Sequence, residues 1–393
     1  MPSLSLSEMA SPQPTSLRGA TPVIILFTLT VVGIFALLAF PISNGLFNAL
    51  LLQASQRKIG AESSPYDTTL TGWNWLDALL DGFTVFFYDL VDGSRADMSL
   101  LMIPFSGSAV GIWILGMIES RRNGNKDRIP AFFTTMASLG QILGLGIVSP
   151  LFYGLSLNER NSSWRGSDYD VAPEVFYTTP VSIVIGMALP WALAALPAPS
   201  VLSINQKVNM VRLWEIFPIT TYLAQRGLDP LARRFLGSTR QAGGRGNGAM
   251  HRVYGIGLLW STATYWYFMS MVFSASVLPF IFRPEIAEAW SLRHMCQLRN
   301  PFALGSPLPS VSQGQLWFVQ WDFWLISVAC FVWALAVRLE LLEDSARHLK
   351  ATWKIMVGGL MSALILGPVG AAVVLIWRRD TLVHENNHRR KIV

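Results

Sequence analysis

The sequence has few of the residues that soluble enzymes use to bind metals, phosphate or nucleic acid. Only 14% of its 393 residues are charged, against about 25% in an ordinary soluble domain. Its two cysteines, Cys296 and Cys330, can build neither a disulfide framework nor a cysteine zinc site. It has no glycine-rich phosphate loop, no HExxH motif and no histidine cluster suited to iron or copper. Because the net charge of +6 is also scattered along the chain, we expect no metal, no cofactor and no nucleic-acid partner.

What the sequence does contain is apolar segments long enough to cross a membrane. Hydrophobic residues make up 52% of the chain, more than one globular core could bury, so we expect membrane lipid to cover the excess. Seven runs approach or exceed the roughly 18 apolar residues typical of a spanning helix. These runs are Val23–Phe40, Met98–Ile118, Ile129–Leu151, Thr178–Leu196, Val253–Leu278, Trp317–Val337 and Ile355–Trp377. The pattern predicts an all-α, multi-pass transmembrane bundle with about seven or eight spanning helices.

A single membrane domain is expected to hold most of the chain. Residues 1–20 are rich in Ser and Pro and predict a disordered N-terminal tail, and no domain-separating linker follows. We therefore expect one transmembrane helical domain over residues 21–380 and a basic C-terminal tail over residues 381–393. The first apolar run lacks a small-residue cleavage site after it, so it is interpreted as a retained anchor.

Charges in the connecting segments predict the side of the membrane that each one faces. Arg226–Arg252 and Ser120–Arg128 are basic, so the positive-inside rule places both in the cytosol. Asn158–Phe176 is net acidic and is expected on the opposite side, where Asn161 would be a glycosylation candidate. These sides agree only if Asn209–Ala224 is a half helix that does not cross. Counting the crossings from there to the C-terminus puts the basic C-terminal tail on the lumenal side. The positive-inside rule disfavours that side, so the topology of the tail stays open.

Four aspartates mark an amphipathic acidic helix between the first two runs. At 100° per residue, Asp77, Asp81, Asp89 and Asp92 fall within about one third of the circumference of one helix. Leucines and phenylalanines occupy the other side. Two interpretations remain open: a lumenal interfacial helix with a solvated acidic face, or the carboxylate-lined wall of a cavity.

Two single acids stand beside tryptophans in otherwise apolar segments. Glu215 follows Trp214, and Asp322 follows Trp321 about one turn into a spanning run. A desolvated carboxyl group stays protonated unless a cation or donor stabilises its charge, and it can then donate a proton. For Asp322 the alternative is an interface position that reaches headgroup water. The 15 Trp, 22 Phe and 9 Tyr of the chain fit either membrane-interface belts or the lining of a carbocation site.

Several motifs, in their order and spacing, resemble one known family over most of the chain. The motifs are FFYDLVDG (86–93), MIESRRNGN (117–125), WEIFP (214–218), MHRVYGIGL (250–258), FVQWDFW (318–324) and ILGPVGAAVVLIWRRD (365–380). They resemble the fungal membrane-bound terpene cyclases of meroterpenoid pathways, the group that includes cyclases of ascofuranone and macrophorin biosynthesis. The sequence has neither the DDxxD nor the DxDD run of soluble terpene cyclases, so a cyclase here is of another design.

The resemblance implies proton-initiated cyclisation of a linear prenyl chain in secondary metabolism, without a redox step. The substrate would be a hydrophobic prenylated small molecule, with a farnesyl or epoxyfarnesyl chain on a meroterpenoid or related precursor, and the protein would lie in the endoplasmic reticulum membrane. Local chemistry makes Asp322 and Glu215 the candidate proton donors. Asp89 and Asp92 are candidate cavity acids or partners of a terminating base.

Other assignments and functions stay open at this point. Trp321 and Trp214 are candidates for stabilising the cation. Glu119 and Asp380 lie beside arginines at helix ends, where a structural ion pair or snorkelling explains them. The alternative functions are an ion-coupled small-molecule transporter, against which we find no inverted repeat and no matching pair of broken helices, and a non-catalytic membrane scaffold.

Overall fold

A computed structural model describes residues 17–60, 64–67, 69, 71–159, 164, 166–236, 243–342 and 348–392. The described chain is almost entirely helical, as the sequence predicts, with one short antiparallel pair, β1 (Lys58–Ile59) and β2 (Ser64–Pro65). The first helices are α1 (Leu17–Ile34), α2 (Phe40–Ser43), α3 (Leu46–Ser55), α4 (Asn74–Val91), α5 (Ala96–Glu119), α6 (Phe133–Leu143), α7 (Leu145–Glu159), α8 (Pro173–Ile183) and α9 (Leu189–Ala194). The others are α10 (Ile204–Glu215), α11 (Phe217–Leu236), α12 (Gly243–Val277), α13 (Pro284–Ala289), α14 (Leu292–Cys296), α15 (Val311–Leu339), α16 (His348–Leu366) and α17 (Pro368–Ile392).

Among the residues that the structure describes, four helical segments are long and apolar enough to cross a membrane. They are Ala20–Ser43, Ala96–Glu119, Ser167–Ala194 and Val311–Leu339. By length and composition these segments are consistent with a membrane protein. The first continues through a π-helical stretch at Phe35–Ala39 into α2.

The long helices pack as a bundle with two chemically different ends. At one end, Arg122 just after α5 forms a 2.6 Å ion pair with Asp380 of α17 and lies beside Tyr254 of α12. We call this the arginine end. At the other end, the first turn of α5 accepts a hydrogen bond from the indole of Trp290 at the carbonyl of Ala96. We call it the aspartate end, because the acidic helix α4 lies there.

The segment 204–236 runs from one end of the bundle to the other. Lys207 of α10 donates to the carbonyl of Leu196, just beyond α9, and Arg233 of α11 pairs with Glu174 of α8. Hence α10 and α11 lie antiparallel to α8 and α9, with an interruption at Ile216. This packing gives the direction of the two helices and does not test whether they cross a membrane, so the prediction that Asn209–Ala224 is a half helix that does not cross stays a prediction.

Two apolar runs that the sequence presents as single spanning helices are bent hairpins. The run Ile129–Leu151 is broken at Gly144, whose φ of 94° is open to glycine but strained for other residues. Both ends of this hairpin lie together, because the amide of Ile129 donates to the carboxylate of Glu159 at 2.7 Å. The run Ile355–Trp377 is broken in the same way at Gly367, with φ 76°. Its two arms, α16 and α17, connect to the rest of the chain at the arginine end.

The structure also corrects the predicted sidedness. Asn158–Phe176 was expected opposite Ser120–Arg128, yet the amide of Asn123 donates to the carbonyl of Asp170 at 3.1 Å. Both connections therefore lie at the arginine end. The ion pair of Arg122 with Asp380 brings the base of the C-terminal tail there too, which removes the conflict with the positive-inside rule. Asn161 itself lies outside the described residues.

Candidate active site

The first half of the acidic face on α4 is buried and paired. Asp77 accepts hydrogen bonds from the amide and hydroxyl of Thr71, both at 2.9 Å, in the turn before the helix. Asp81 forms a 2.5 Å ion pair with Arg212 of α10, and the Arg212 side chain is 1% exposed. Neither the solvated-face interpretation nor the cavity-wall interpretation fits these two carboxylates. They instead attach α4 to its neighbours.

The second half of the acidic face, Asp89 and Asp92, is half-buried. Asp92 accepts from the amide and hydroxyl of Ser94 at 2.9 and 2.7 Å, in the turn that ends α4. Burial and the neighbouring Asp92 raise the pKa of Asp89 to about 6. Lys207 lies nearby and donates to the carbonyls of Val91 and Leu196, which are near the C-terminal ends of α4 and α9. Its ammonium group therefore stabilises two helix ends at once.

Asp322 lies deep in the bundle and contacts the broken helix. Its carboxylate accepts the amide hydrogen of Gly146 at 2.5 Å, in the first turn of α7. The unpaired N–H groups and the positive end of the helix dipole favour an ionised carboxylate at such a position. The Asp322 side chain is thus an N-terminal cap for α7 that α15 supplies. The sequence gives no sign of this partner, which lies 176 positions away.

Glu215 has a different environment. It ends α10, is only 4% exposed, and neither of its carboxylate oxygens has a hydrogen-bond partner among the described residues. An ionised carboxylate would be very costly there, because a buried charge needs a counter-charge or donors. We therefore expect Glu215 to be a neutral carboxylic acid that carries a transferable proton.

Aromatic rings extend into the core from Trp214, the residue before this acid. Trp214 is buried against Phe87 and Trp191, and its indole stacks on Phe217 at 5.7 Å. Phe217 in turn lies 4.6 Å from Trp113 of α5. The series continues with centroid distances of 5.4, 6.2, 5.6 and 5.0 Å through Phe133, Phe152, Tyr153 and Trp333. Trp214 is thus part of a continuous aromatic series through the bundle.

Trp321 is not part of this series. Its indole donates to the carbonyl of Arg299 at 2.8 Å, and its ring packs against the small cluster around Leu37 and Leu325. Although it precedes Asp322 in sequence, the two side chains leave the helix about 100° apart. The structure places Trp214, the residue before Glu215, in the aromatic series, and it places Trp321 outside that series.

A small cavity lies where the aromatic series passes between α5, α6, α7 and α15. Its volume is about 20 Å³, and its lining includes the rings of Trp113, Phe133, Phe152 and Tyr153. Leu145, next to the Gly146 amide that Asp322 caps, also lines it. We call this space and its four rings the aromatic chamber. Sequence reasoning missed these rings, because they lie on three separate helices.

Glu119 and Asp380 have the structural role that the sequence indicates. They share Arg122 and Arg379 in a buried cluster of four charges whose sum is zero, with N–O distances of 2.6 to 3.0 Å. The hydroxyl of Tyr254 completes it by donating to Asp380 at 2.6 Å. All ionic groups of this cluster are paired, so it stabilises the arginine end and offers no free acid. Within the described ranges, no group of three or more His, Cys, Asp or Glu side chains is placed to hold a metal ion.

Comparison with known proteins identifies the family. A family model described as the CtvD domain matches residues 21–384. The chain belongs to the CtvD domain family. It is 29% identical to terpene cyclase ascI of Acremonium egyptiacum, over 92% of this chain and 91% of that protein. It is also 27% identical to terpene cyclase ctvD of Aspergillus terreus, over 90% and 97%, and 22% identical to terpene cyclase atmA of Aspergillus flavus, over 86% and 91%.

These relatives confirm the resemblance seen in the sequence. The CtvD-domain protein is an enzyme of the terpene cyclase class, because its full-length relatives are named as fungal terpene cyclases. No solved structure matches the chain. The breaks at Gly144 and Gly367 remove one sequence argument against a transporter, since paired broken helices are a transporter feature. The decision in favour of a cyclase therefore rests on the relatives.

Proposed function

We propose that this cyclase starts its reaction by donating a proton from Glu215 to a prenyl chain held in the aromatic chamber. The supporting observations are that Glu215 is buried without a partner in the described chain and that it lies in the chain between Trp214 and Phe217, whose rings stack on each other. A neutral carboxylic acid in a dry site protonates an epoxide oxygen or an olefin more readily than a solvated one, because no water competes for the proton.

The aromatic chamber would stabilise the carbocation that follows. Each ring face contributes roughly 0.5–2 kcal/mol to a cation near its centre. The rings of Trp113, Phe133 and Phe152 are separated by 5.4 and 6.2 Å between centroids, so a cation that moves along the chain would meet one face after another. Their apolar surfaces also exclude the water that would quench it.

We assign Asp322 to the end of the reaction rather than to its start. Its carboxylate already accepts the Gly146 amide, which favours the charged form that can take up a proton. The balance is then one proton from Glu215 to the substrate and one proton from the final cation to Asp322, with a new carbon–carbon bond formed from the chain's own double bonds. The product is an isomer of the substrate. The reaction consumes no net proton, so each cycle closes when Asp322 loses its proton to solvent and Glu215 regains one from it, an exchange for which Asp89 and Asp92 are candidates at the aspartate end.

The substrate class follows from the site. The aromatic chamber is apolar, so it suits a farnesyl or terminally epoxidised farnesyl chain carried by a meroterpenoid or related precursor. In its present volume of about 20 Å³ it has no room for such a chain. The arm α6 has only 11 residues, ends at the glycine break and exposes Leu139, Ile142 and Leu143. We propose that this arm moves aside to admit the chain from lipid.

We also propose an arrangement in the membrane. The packing directions fit six crossings, formed by α1–α2, α5, α8–α9, α10–α11, α12 and α15, with α6–α7 and α16–α17 as re-entrant hairpins from the arginine end. The basic connections at that end fit a cytosolic location in the endoplasmic reticulum membrane. This replaces the predicted seven or eight crossings, and it keeps one membrane domain over residues 21–380, with tails at 1–20 and 381–393.

The direct test is expression in a host that lacks terpenoid pathways. Microsomes would be supplied with a panel of farnesyl-bearing phenols and their terminal epoxides, and products of unchanged mass would be sought by liquid chromatography and mass spectrometry. An isomer that forms with the wild-type chain, and not with Glu215→Gln, supports the proposal. An isomer that forms equally with both variants contradicts the assignment of Glu215.

A further inference from the structure

An open cavity at the arginine end combines two cations with an apolar wall. It lies between the last turn of α15 and the middle of α17, with a volume of about 440 Å³, within the range of about 300–1,000 Å³ for small-molecule sites. Its lining residues are Arg338, Val374, Trp377, Arg378, Thr381 and Leu382. The cavity lies outside the aromatic chamber, and none of its lining residues has a role in the proposed reaction.

The two arginines have no counter-charge in the described part of the chain. Neither Arg338 nor Arg378 forms a salt bridge or a side-chain hydrogen bond there. By contrast, Arg379, which follows Arg378, is fully paired within the buried cluster. Arg338 also feels repulsion from Arg378 and Arg379. Like charges held together around a cavity are unfavourable unless an anion occupies it.

The rest of the cavity fits an amphiphile. The Trp377 indole is fixed by a 2.6 Å hydrogen bond to His251, so its ring is a rigid wall, and Val374 and Leu382 continue the apolar surface. Guanidinium groups bind phosphate in a fork geometry, with more than one hydrogen bond each. Basic pockets between membrane helices at a cytosolic face are suited to anionic lipid head groups.

We propose that this cavity binds the phosphate of an anionic phospholipid, with Arg338 and Arg378 as its ligands and the acyl chains along Val374 and Leu382. Interfacial arginines contact lipid phosphate transiently in many membrane proteins, and a built site differs because it is saturable, binds one lipid per chain and prefers an exposed phosphate monoester.

Native mass spectrometry of the full-length protein in detergent tests this. Dioleoyl phosphatidic acid should bind with a stoichiometry of one and at least about tenfold more tightly than dioleoyl phosphatidylcholine. Each of Arg338→Gln and Arg378→Gln should weaken that binding about tenfold, as expected for loss of a charged hydrogen-bond donor. Arg293→Gln is the matched control, because Arg293 is an exposed arginine outside the cavity, and it should leave binding unchanged.

Two further measurements decide whether the bound phosphate belongs to a lipid or to a soluble anion. Inorganic phosphate and pyrophosphate should fail to displace the lipid at millimolar concentration, because they lack the apolar part. Displacement by pyrophosphate would identify a site for a soluble anion and would overturn the lipid assignment. Equal binding by the wild type and by a variant that carries both Arg338→Gln and Arg378→Gln would overturn the site itself. Neither readout depends on the cyclisation reaction.

Discussion

Replacement of Glu215 by glutamine is the sharpest test of the proposed chemistry. The amide has nearly the shape of the carboxylic acid but cannot donate a proton to a weakly basic carbon or epoxide oxygen. A positioned general acid typically contributes about 10²–10⁴-fold to rate, which is about 2.7–5.4 kcal/mol of transition-state stabilisation. We expect Glu215→Gln to lower kcat by at least that factor while KM changes little, because the loss falls on the chemical step.

The state of Glu215 in the folded protein sets the accompanying change in stability. Because the wild-type carboxyl has no partner in the described chain, no ion pair is lost, and the new N–H groups cost about 1–3 kcal/mol if they stay unpaired. Thermal unfolding in detergent should therefore show a modest fall in Tm and a cooperative transition. Glu285→Gln makes the same chemical change at an exposed position and should leave both rate and Tm unchanged.

The assay follows isomer formation with purified protein and the substrate found in the microsome panel. Glu215→Asp keeps an acid but moves it back by one methylene, so it should retain part of the activity that Glu215→Gln loses. A Glu215→Gln protein that turns over within about twofold of the wild type would refute the assignment. Equal inactivity of the Gln and Asp variants, with both folded, would mean that the acid must lie at the position of the Glu215 carboxyl group to protonate the substrate.

Four further changes test the remaining structure. Asp322→Asn should leave the start of the reaction intact but alter the product isomers, as judged by chromatography, and an unchanged profile would contradict a terminating role. The pKa of Asp89 is raised to about 6 from about 3.9, so its ionisation costs folding free energy above pH 6. Asp89→Asn should therefore stabilise the protein above pH 6 by about 2–3 kcal/mol and should not stabilise it at pH 4. A difference in Tm that does not depend on pH would contradict this prediction. Arg212→Met should destabilise by about 3–5 kcal/mol, because it leaves Asp81 buried and unpaired, and Asp81→Leu in the same chain should restore most of the loss in thermal unfolding. Gly144→Ala should cost about 1–3 kcal/mol, because its φ of 94° is strained for alanine, and an unchanged Tm would show that the hairpin turn tolerates a side chain.

The sequence predicts the helices well and their breaks poorly. Hydrophobic runs identify where apolar helices lie, and the acidic periodicity of residues 77–92 matches α4. Gly144 and Gly367 interrupt runs that stay apolar on both sides, so a hydropathy profile does not reveal the helix breaks. Gly367 precedes Pro368, a pair that favours a helix end, whereas nothing next to Gly144 marks the turn except a second glycine at Gly146.

The two candidate acids show what sequence leaves undetermined at a site. Glu215 and Asp322 both follow tryptophan in apolar surroundings and are chemically equivalent on paper. Only tertiary contacts separate them, because Asp322 meets the amide of Gly146 across the bundle and Glu215 meets no donor in the described chain. The aromatic chamber is equally invisible in sequence, since its rings come from α5, α6 and α7 and converge only after packing.

The ion pairs at the two ends of the bundle bear on the route by which a hydrophobic substrate would enter. A transporter must open to water at each end in turn, and here Arg122–Asp380 closes one end while Asp81–Arg212 closes the other, both buried. A buried charge that loses its partner costs about 3–5 kcal/mol, so opening either end while its charges stay buried is expensive. Displacing α6 sideways breaks no salt bridge within the described chain and exposes apolar side chains only to lipid. Lateral entry therefore costs less, and it brings in the prenyl chain without the water that would quench its cation.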